Sequence, residues 1–109
     1  MGTYLVAFRQ TADTWARLIA NPEDRRKTVA PLIEAAGGRL DGYWYAFGET
    51  DGYVLFQAPD DVAAAALAAL VAASGAFASV TTTKLLTVEE TMDALGRVSG
   101  IGYRAPGGA

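Results

Sequence analysis

The stretch "YWYAFGETDGYVLFQAPDD", Tyr43 to Asp61, decides the fold. Aromatic and aliphatic residues stand on both sides of "GETD", a short polar connection in which Gly48 is free to take positive φ. Such a pattern reads as two strands of a hairpin, "RLDGYWYAF" from Arg39 to Phe47 and "GYVLFQA" from Gly52 to Ala58. "APDD" then opens an alanine-rich helix with Asp60 as its cap, and Ser74-Gly75 stop it. Val62, Ala66, Leu67, Leu70 and Val71 are expected to face the sheet.

Upstream, "TYLVAFR" (Thr3 to Arg9) is a compact apolar run and reads as a first strand. Thr11 caps a helix whose Trp15, Leu18 and Ile19 share one face. At Asn21-Pro22 the helical pattern restarts, with Asn21 as cap, Pro22 in the first helical position and Glu23 and Asp24 at the positive end of the dipole. Val29, Leu32 and Ile33 form the apolar stripe of this piece. Pro31 should kink it or confine it to its last turn, and Gly37-Gly38 end it. Downstream, the β-branched "ASVTTTKLL" (Ala78 to Leu86) reads as a fourth strand. "TVEE" then matches a capping box, with Thr87 as cap and Glu90 at the third position.

The order β-α-β-β-α-β plus a terminal helix is that of an α+β, ferredoxin-like domain with a four-stranded antiparallel sheet. Right-handed crossovers place both long helices on one face and leave the other face open. Residues 1–99 form the expected single domain, and 100–109 a glycine-rich tail.

Alternation along the strands sorts side chains between the two faces. Taking the polar-bearing sets as the open face places Arg9, Tyr43, Tyr45, Tyr53 and Gln57 there, with Thr81 to Thr83 at the edge, and leaves Trp44 and Phe56 in the core. That assignment needs an odd-length hairpin loop, because a slip of one residue turns every side chain over. A face so rich in aromatic residues avoids water best against a second copy, stacked sheet to sheet through a two-fold axis.

With 109 residues the chain has room for one domain. A hydrophobic fraction of 51% and a net charge of −3 exclude a disordered chain and a nucleic-acid-binding face. The longest apolar run, Val62 to Ala73, has twelve residues, whereas a bilayer span needs about twenty. "MGTYLVAF" reads as no export leader, so the expected location is cytoplasmic, with no membrane partner. Cysteine and histidine are both absent, which removes disulfides, thiolate chemistry and the usual zinc ligands. No metal and no cofactor are expected.

"GETDGYVLFQAPDD", preceded by an aromatic strand and followed by an alanine-rich helix, resembles the GYD-domain family, whose pattern runs G-E-x-D, an apolar strand, then A-P-D-D. "TYLVAF", Thr11 and the "GG" before the second strand fit as well, so the resemblance runs from about Thr3 to Glu90. It implies the ferredoxin-like, dimeric α/β-barrel architecture. The chain departs from the pattern at Thr50, where the family has tyrosine, and in its glycine-rich tail.

The candidate chemistry follows from what remains. Glu49 and Asp51 share the hairpin loop. Either they bond turn amides and face solvent, or one is desolvated at a pocket mouth and acts as general base. Tyr45 and Arg9 are the candidate oxyanion partners, and Tyr43, Phe47, Tyr53 and Gln57 the candidate ligand-binding walls. The expected protein is a homodimer that binds a small apolar or aromatic ligand. On one reading it is a cofactor-independent enzyme for proton transfer, isomerisation, cyclisation or oxygenation of an activated carbonyl or phenol. On another it is a ligand-sensing module, since the hairpin is similar to the ligand-binding domains of leucine-responsive regulators. On a third it is a structural oligomerisation module.

Overall fold

The computed structural model describes residues 1–108. Four strands, β1 (Gly2–Gln10), β2 (Arg39–Tyr45), β3 (Gly52–Ala58) and β4 (Phe77–Leu85), form one antiparallel sheet in the order β2-β3-β1-β4. Helices α1 (Ala12–Ala20) and α2 (Arg26–Ala35) lie between β1 and β2, and α3 (Asp61–Ala73) between β3 and β4. A last helix, α4 (Val88–Arg97), runs into a single 3-10 turn at Val98–Gly100. This is the ferredoxin-like α+β fold expected from the pattern.

Local signals hold each helix where the sequence marks it. Thr11 caps α1 by accepting from the amide of Thr14, and Asp60 caps α3 by accepting from Ala63 at 2.8 Å. Thr87 and Glu90 satisfy each other's amides in a capping box at the start of α4. At the end of α2, Gly37 takes φ +86, with Gly37 N–H donating to Glu34 O and Gly38 N–H to Ile33 O, both at 2.9 Å. Those two bonds are the Schellman arrangement, which requires a left-handed residue where glycine stands.

Between α1 and α2 the expectation fails. Asn21 does not restart a helix; its amide closes α1 on Arg17 O, and Pro22 lies in the connection. α2 starts at Arg26, whose amide is taken by Asp24 Oδ1 at 3.1 Å. Pro31 stands inside α2 at an exposed position and leaves the Lys27 carbonyl without its i+4 amide donor. At the hairpin, Gly48 does not take positive φ; among the described residues Gly37, Gly75 and Gly107 do.

The core lies between the sheet and the helices. Tyr4 and Phe8 of β1, Val54, Phe56 and Ala58 of β3, Ile33 of α2, and Ala64 and Leu67 of α3 are all buried there. α3 is rotated from the expected setting: Ala64 and Leu67 point inward, whereas Val62 and Leu70 are exposed. A helix apolar on every side carries no polar stripe to set its rotation. Asp61, bonded to Tyr4 and Lys84 beneath it, ties down its first turn instead.

The largest correction concerns β2. Tyr45 pairs with Gly52, so the hairpin loop holds six residues, an even number. Tyr43 therefore stands opposite Val54, on the helix-covered face, and Trp44 opposite Tyr53, on the open face. Between Leu40, opposite Phe56, and Gly42, opposite Leu55, Asp41 is an extra residue in a β-bulge. Strict alternation ties Asp41 to Tyr43 and Tyr45, and the bulge breaks that tie. Asp41 stays on the open face, taking hydrogen bonds from Arg39 Nε and Gln57 Nε2, while the two tyrosines turn inward.

Candidate functional site

The packing leaves a cleft. α2 and α3 stand apart over the middle of the sheet, and the space between them measures about 410 Å³. Its floor is Val6, Phe8, Val54 and Phe56, and its walls include Val29 and Leu32 of α2 and Leu67 and Val71 of α3. This volume falls within the ~300–1,000 Å³ of small-molecule pockets, and the lining is apolar with few polar groups, as such sites are. Those polar groups are Tyr43, Thr82, Thr28, Arg25 and Ser74. Thr82 Oγ1 is buried without a hydrogen-bond partner among the described residues.

Tyr43 is the one expected ligand-binding residue that lines the cleft. It packs edge-on to Phe8, with centroids 5.8 Å apart, and beside Tyr45 at 5.4 Å. Burial, and then the neighbouring Tyr45 phenol, push its hydroxyl well above the usual tyrosine value, so it stays protonated at any physiological pH. Tyr45 is more open and tilts against Trp15 of α1.

The remaining expected residues sit elsewhere. Asp51 closes the hairpin onto β1: its Oδ2 accepts from Gln10 N, and its own N–H donates to Phe8 O, both at 2.8 Å. Glu49 is exposed, and its main-chain carbonyl accepts from Arg9 Nη1 at 2.9 Å. Phe47 lies beyond the end of β2, wholly exposed. Tyr53 and Gln57 are on the open face with Arg9, as expected, and Gln57 is held by Asp41. The structure thus brings Tyr43 and Tyr45 together under the helices, and Arg9, Tyr53 and Gln57 together on the opposite side of the sheet.

Two features escaped the sequence reading. Tyr4, Asp61 and Lys84 form a cluster in which Asp61 Oδ1 accepts from Tyr4 Oη at 2.5 Å and from Lys84 Nζ at 2.7 Å. Hydrogen bonds from Lys84 and then Tyr4 hold the Asp61 carboxyl below its ordinary range, and the same bonds raise Tyr4 and Lys84. The second feature is Gln10, buried at the end of β1 with its Nε2 unpartnered. In both cases the partners or neighbours are distant in sequence, and only the paired acids of "PDD" hinted at either. Among the described residues no group of three or more carboxylates gathers as a metal site, and no helix is long and apolar enough to cross a membrane.

Sheet order, helix placement and cleft define a ferredoxin-like α+β domain. The GYD domain profile matches residues 4–95, and the chain belongs to that family. No curated protein matches it.

Proposed function

We propose that the protein is a homodimeric small-molecule-binding domain whose ligand occupies the cleft between α2 and α3. The cleft itself carries this reading: a 410 Å³ apolar space that the chain's own side chains do not fill, with Tyr43 as a hydrogen-bond donor on its wall. A cleft of this size leaves apolar walls facing water, which an apolar ligand would cover. Glu49 and Asp51 do not line it, so the geometry supports binding ahead of proton transfer by those carboxylates.

The dimer rests on the open face and on α4. Leu5, Ala7 and Leu55 line the centre of that face, and Trp44 at its margin is 52% exposed. Along α4, Val88, Met92 and Leu95 recur at helical spacing, and each is more than 60% exposed. A second copy covers such surfaces economically.

The test is a titration of isotopically labelled protein with a library of small aromatic and aliphatic fragments. Fragments should shift the methyl resonances of Val54, Leu67 and Val71 and raise the melting temperature. A library that moves none of these methyls overturns the reading.

A further inference from the structure

From Leu86 to Gly107 every residue is exposed. A compact chain of 109 residues has a radius of gyration of about 13 Å. This one measures 17.8 Å and extends 62 Å along its longest axis, against 33 and 23 Å along the others. The segment after β4 is therefore an arm that stands off the body. Its composition is not that of a solvated tail, since Leu86, Val88, Met92, Leu95, Val98 and Ile101 are each more than 55% exposed. Val88, Met92 and Leu95 recur on one side of α4, and the capping box fixes where that helix starts. A sequence that specifies both a helix and an apolar stripe along it specifies a surface for the stripe to meet.

The dimensions select the surface. A ten-residue helix is about 15 Å long and 10 Å across, a volume of roughly 1,200 Å³. The cleft between α2 and α3, at about 410 Å³, has room for a small molecule and not for a helix. The open face of the sheet does fit, because four strands spaced about 4.8 Å apart span roughly 14 Å. Its centre is apolar at Leu5, Ala7 and Leu55. Charge agrees as well. On that face Arg9 donates to the main-chain carbonyl of Glu49 and meets no carboxylate among the described residues. On α4, Glu89 stands next to the stripe, likewise outside any ion pair among the described residues. A lipid surface fits less well. Membrane-surface helices carry Lys and Arg on their polar side, whereas α4 carries Glu89, Glu90 and Asp93 against a single Arg97.

Each chain thus has one arm without a surface and one face without a cover. We propose that two copies exchange arms. The α4 of each protomer crosses the partner's open face and seats Val88, Met92 and Leu95 over the partner's Leu5 and Leu55. The exchange is reciprocal, so a two-fold axis closes it and leaves no arm over for a third copy. A helix, and not a second sheet, is what covers the face. This assignment rests on the dimer proposed above and specifies which surfaces hold it together.

The experiment mixes two preparations of the full chain, one carrying labelled Met methyls and the other labelled Leu methyls in a deuterated background. Contacts between the two labels then report only on pairs of different chains. Nuclear Overhauser effects should join the Met92 methyl of one copy to the Leu5 or Leu55 methyls of the other. Met92→Asp, a change at an exposed position of the protomer, should raise the dissociation constant of the pair more than about tenfold. A dimer in which Met92 meets no Leu methyl of the other chain, or meets Leu67 in the cleft, overturns the exchange and leaves the dimer standing. So does a folded Met92→Asp variant that pairs as tightly as wild type. A wild type that is monomeric at micromolar concentration overturns the dimer and the exchange together, and leaves ligand binding in the cleft untouched. Should the variant fail to fold, the contacts of wild-type Met92 decide alone.

Discussion

Tyr4, at the floor of the core, donates its phenolic hydrogen to Asp61 in the first turn of α3, 57 residues away, at 2.5 Å. Lys84 from β4 binds the same carboxylate oxygen and stands 5.4 Å from the centre of the Tyr4 ring. One carboxylate therefore clips a helix to two neighbouring strands.

The clip makes stability depend on pH at both ends of the scale. Asp61 is depressed below its ordinary value of 3.8, so its contribution is full above that value and is lost as pH falls through the lower folded value. Tyr4 and Lys84 are raised above 10.0 and 10.5, so theirs is full below those values and is lost as pH rises past them. Asp61→Asn should lower the melting temperature at neutral pH and flatten the acid and alkaline limbs of the profile. Thermal melts from pH 2 to 11 that are superimposable with wild type would refute the clip.

Gly38→Ala should be among the most damaging single-atom additions to the chain. A Cβ there would lie 2.0 Å from the main-chain carbonyl oxygen of Gln57, an atom of the central sheet with no room to retreat. Forced packing of this kind costs about 1–3 kcal/mol. Urea denaturation reads the loss directly, and an unchanged midpoint would mean that the α2–β2 junction is looser than described.

On the open face, Trp44→Asp tests the second copy. Its ring lies over Gly42, on the side of the sheet away from the helices, so removing it disturbs little inside the protomer. Sedimentation velocity should show wild type as a dimer and the variant shifted to monomer, with unchanged circular dichroism. A wild type that sediments as a monomer at micromolar concentration sinks the dimer.

α4 supplies an independent check. Ten residues with a capping box, every one of them exposed, are too few to hold a helix in water, where about 12–15 are marginal. Amide exchange in α4 should therefore be slow in concentrated protein and speed up on dilution through the dimer dissociation range. Thr87→Ala, which removes the cap, should weaken the helix by about 1 kcal/mol. Exchange that is fast at every concentration would show that no second copy covers α4.

Val71→Trp addresses the cleft. The indole should occupy the space between α2 and α3, abolish fragment binding by more than about tenfold, and leave the sheet intact. Undiminished binding would place the ligand elsewhere.

What the sequence made legible was what is local. Thr11, Asp60 and the Thr87–Glu90 pair announce helix starts because a cap and its amide lie within three residues. The four-stranded antiparallel sheet with its helices on one face followed from the element order, the handedness of crossovers and the hairpin. The faces of β2 did not, because alternation assumes an unbroken strand, and nothing about Asp41 marks it as the residue that interrupts the count. Once that parity turned over, Tyr43 moved to the cleft and Trp44 to the open face. The clip at Asp61 and the unused donor of Gln10 were hidden for a different reason. Each acquires its meaning from neighbours brought up by the tertiary fold, and neither residue type is unusual in itself.

The interruption at Asp41 has one more consequence. β2 is the outermost ribbon on its side, with unpaired main-chain groups that invite another polypeptide to extend the sheet. A flat, regular border would template that addition. The kink at Asp41, flanked by the Arg39–Asp41 ion pair, spoils the match for any incoming strand. The irregularity that re-aims two tyrosines thereby also guards the molecule against fibre-like growth along its margin.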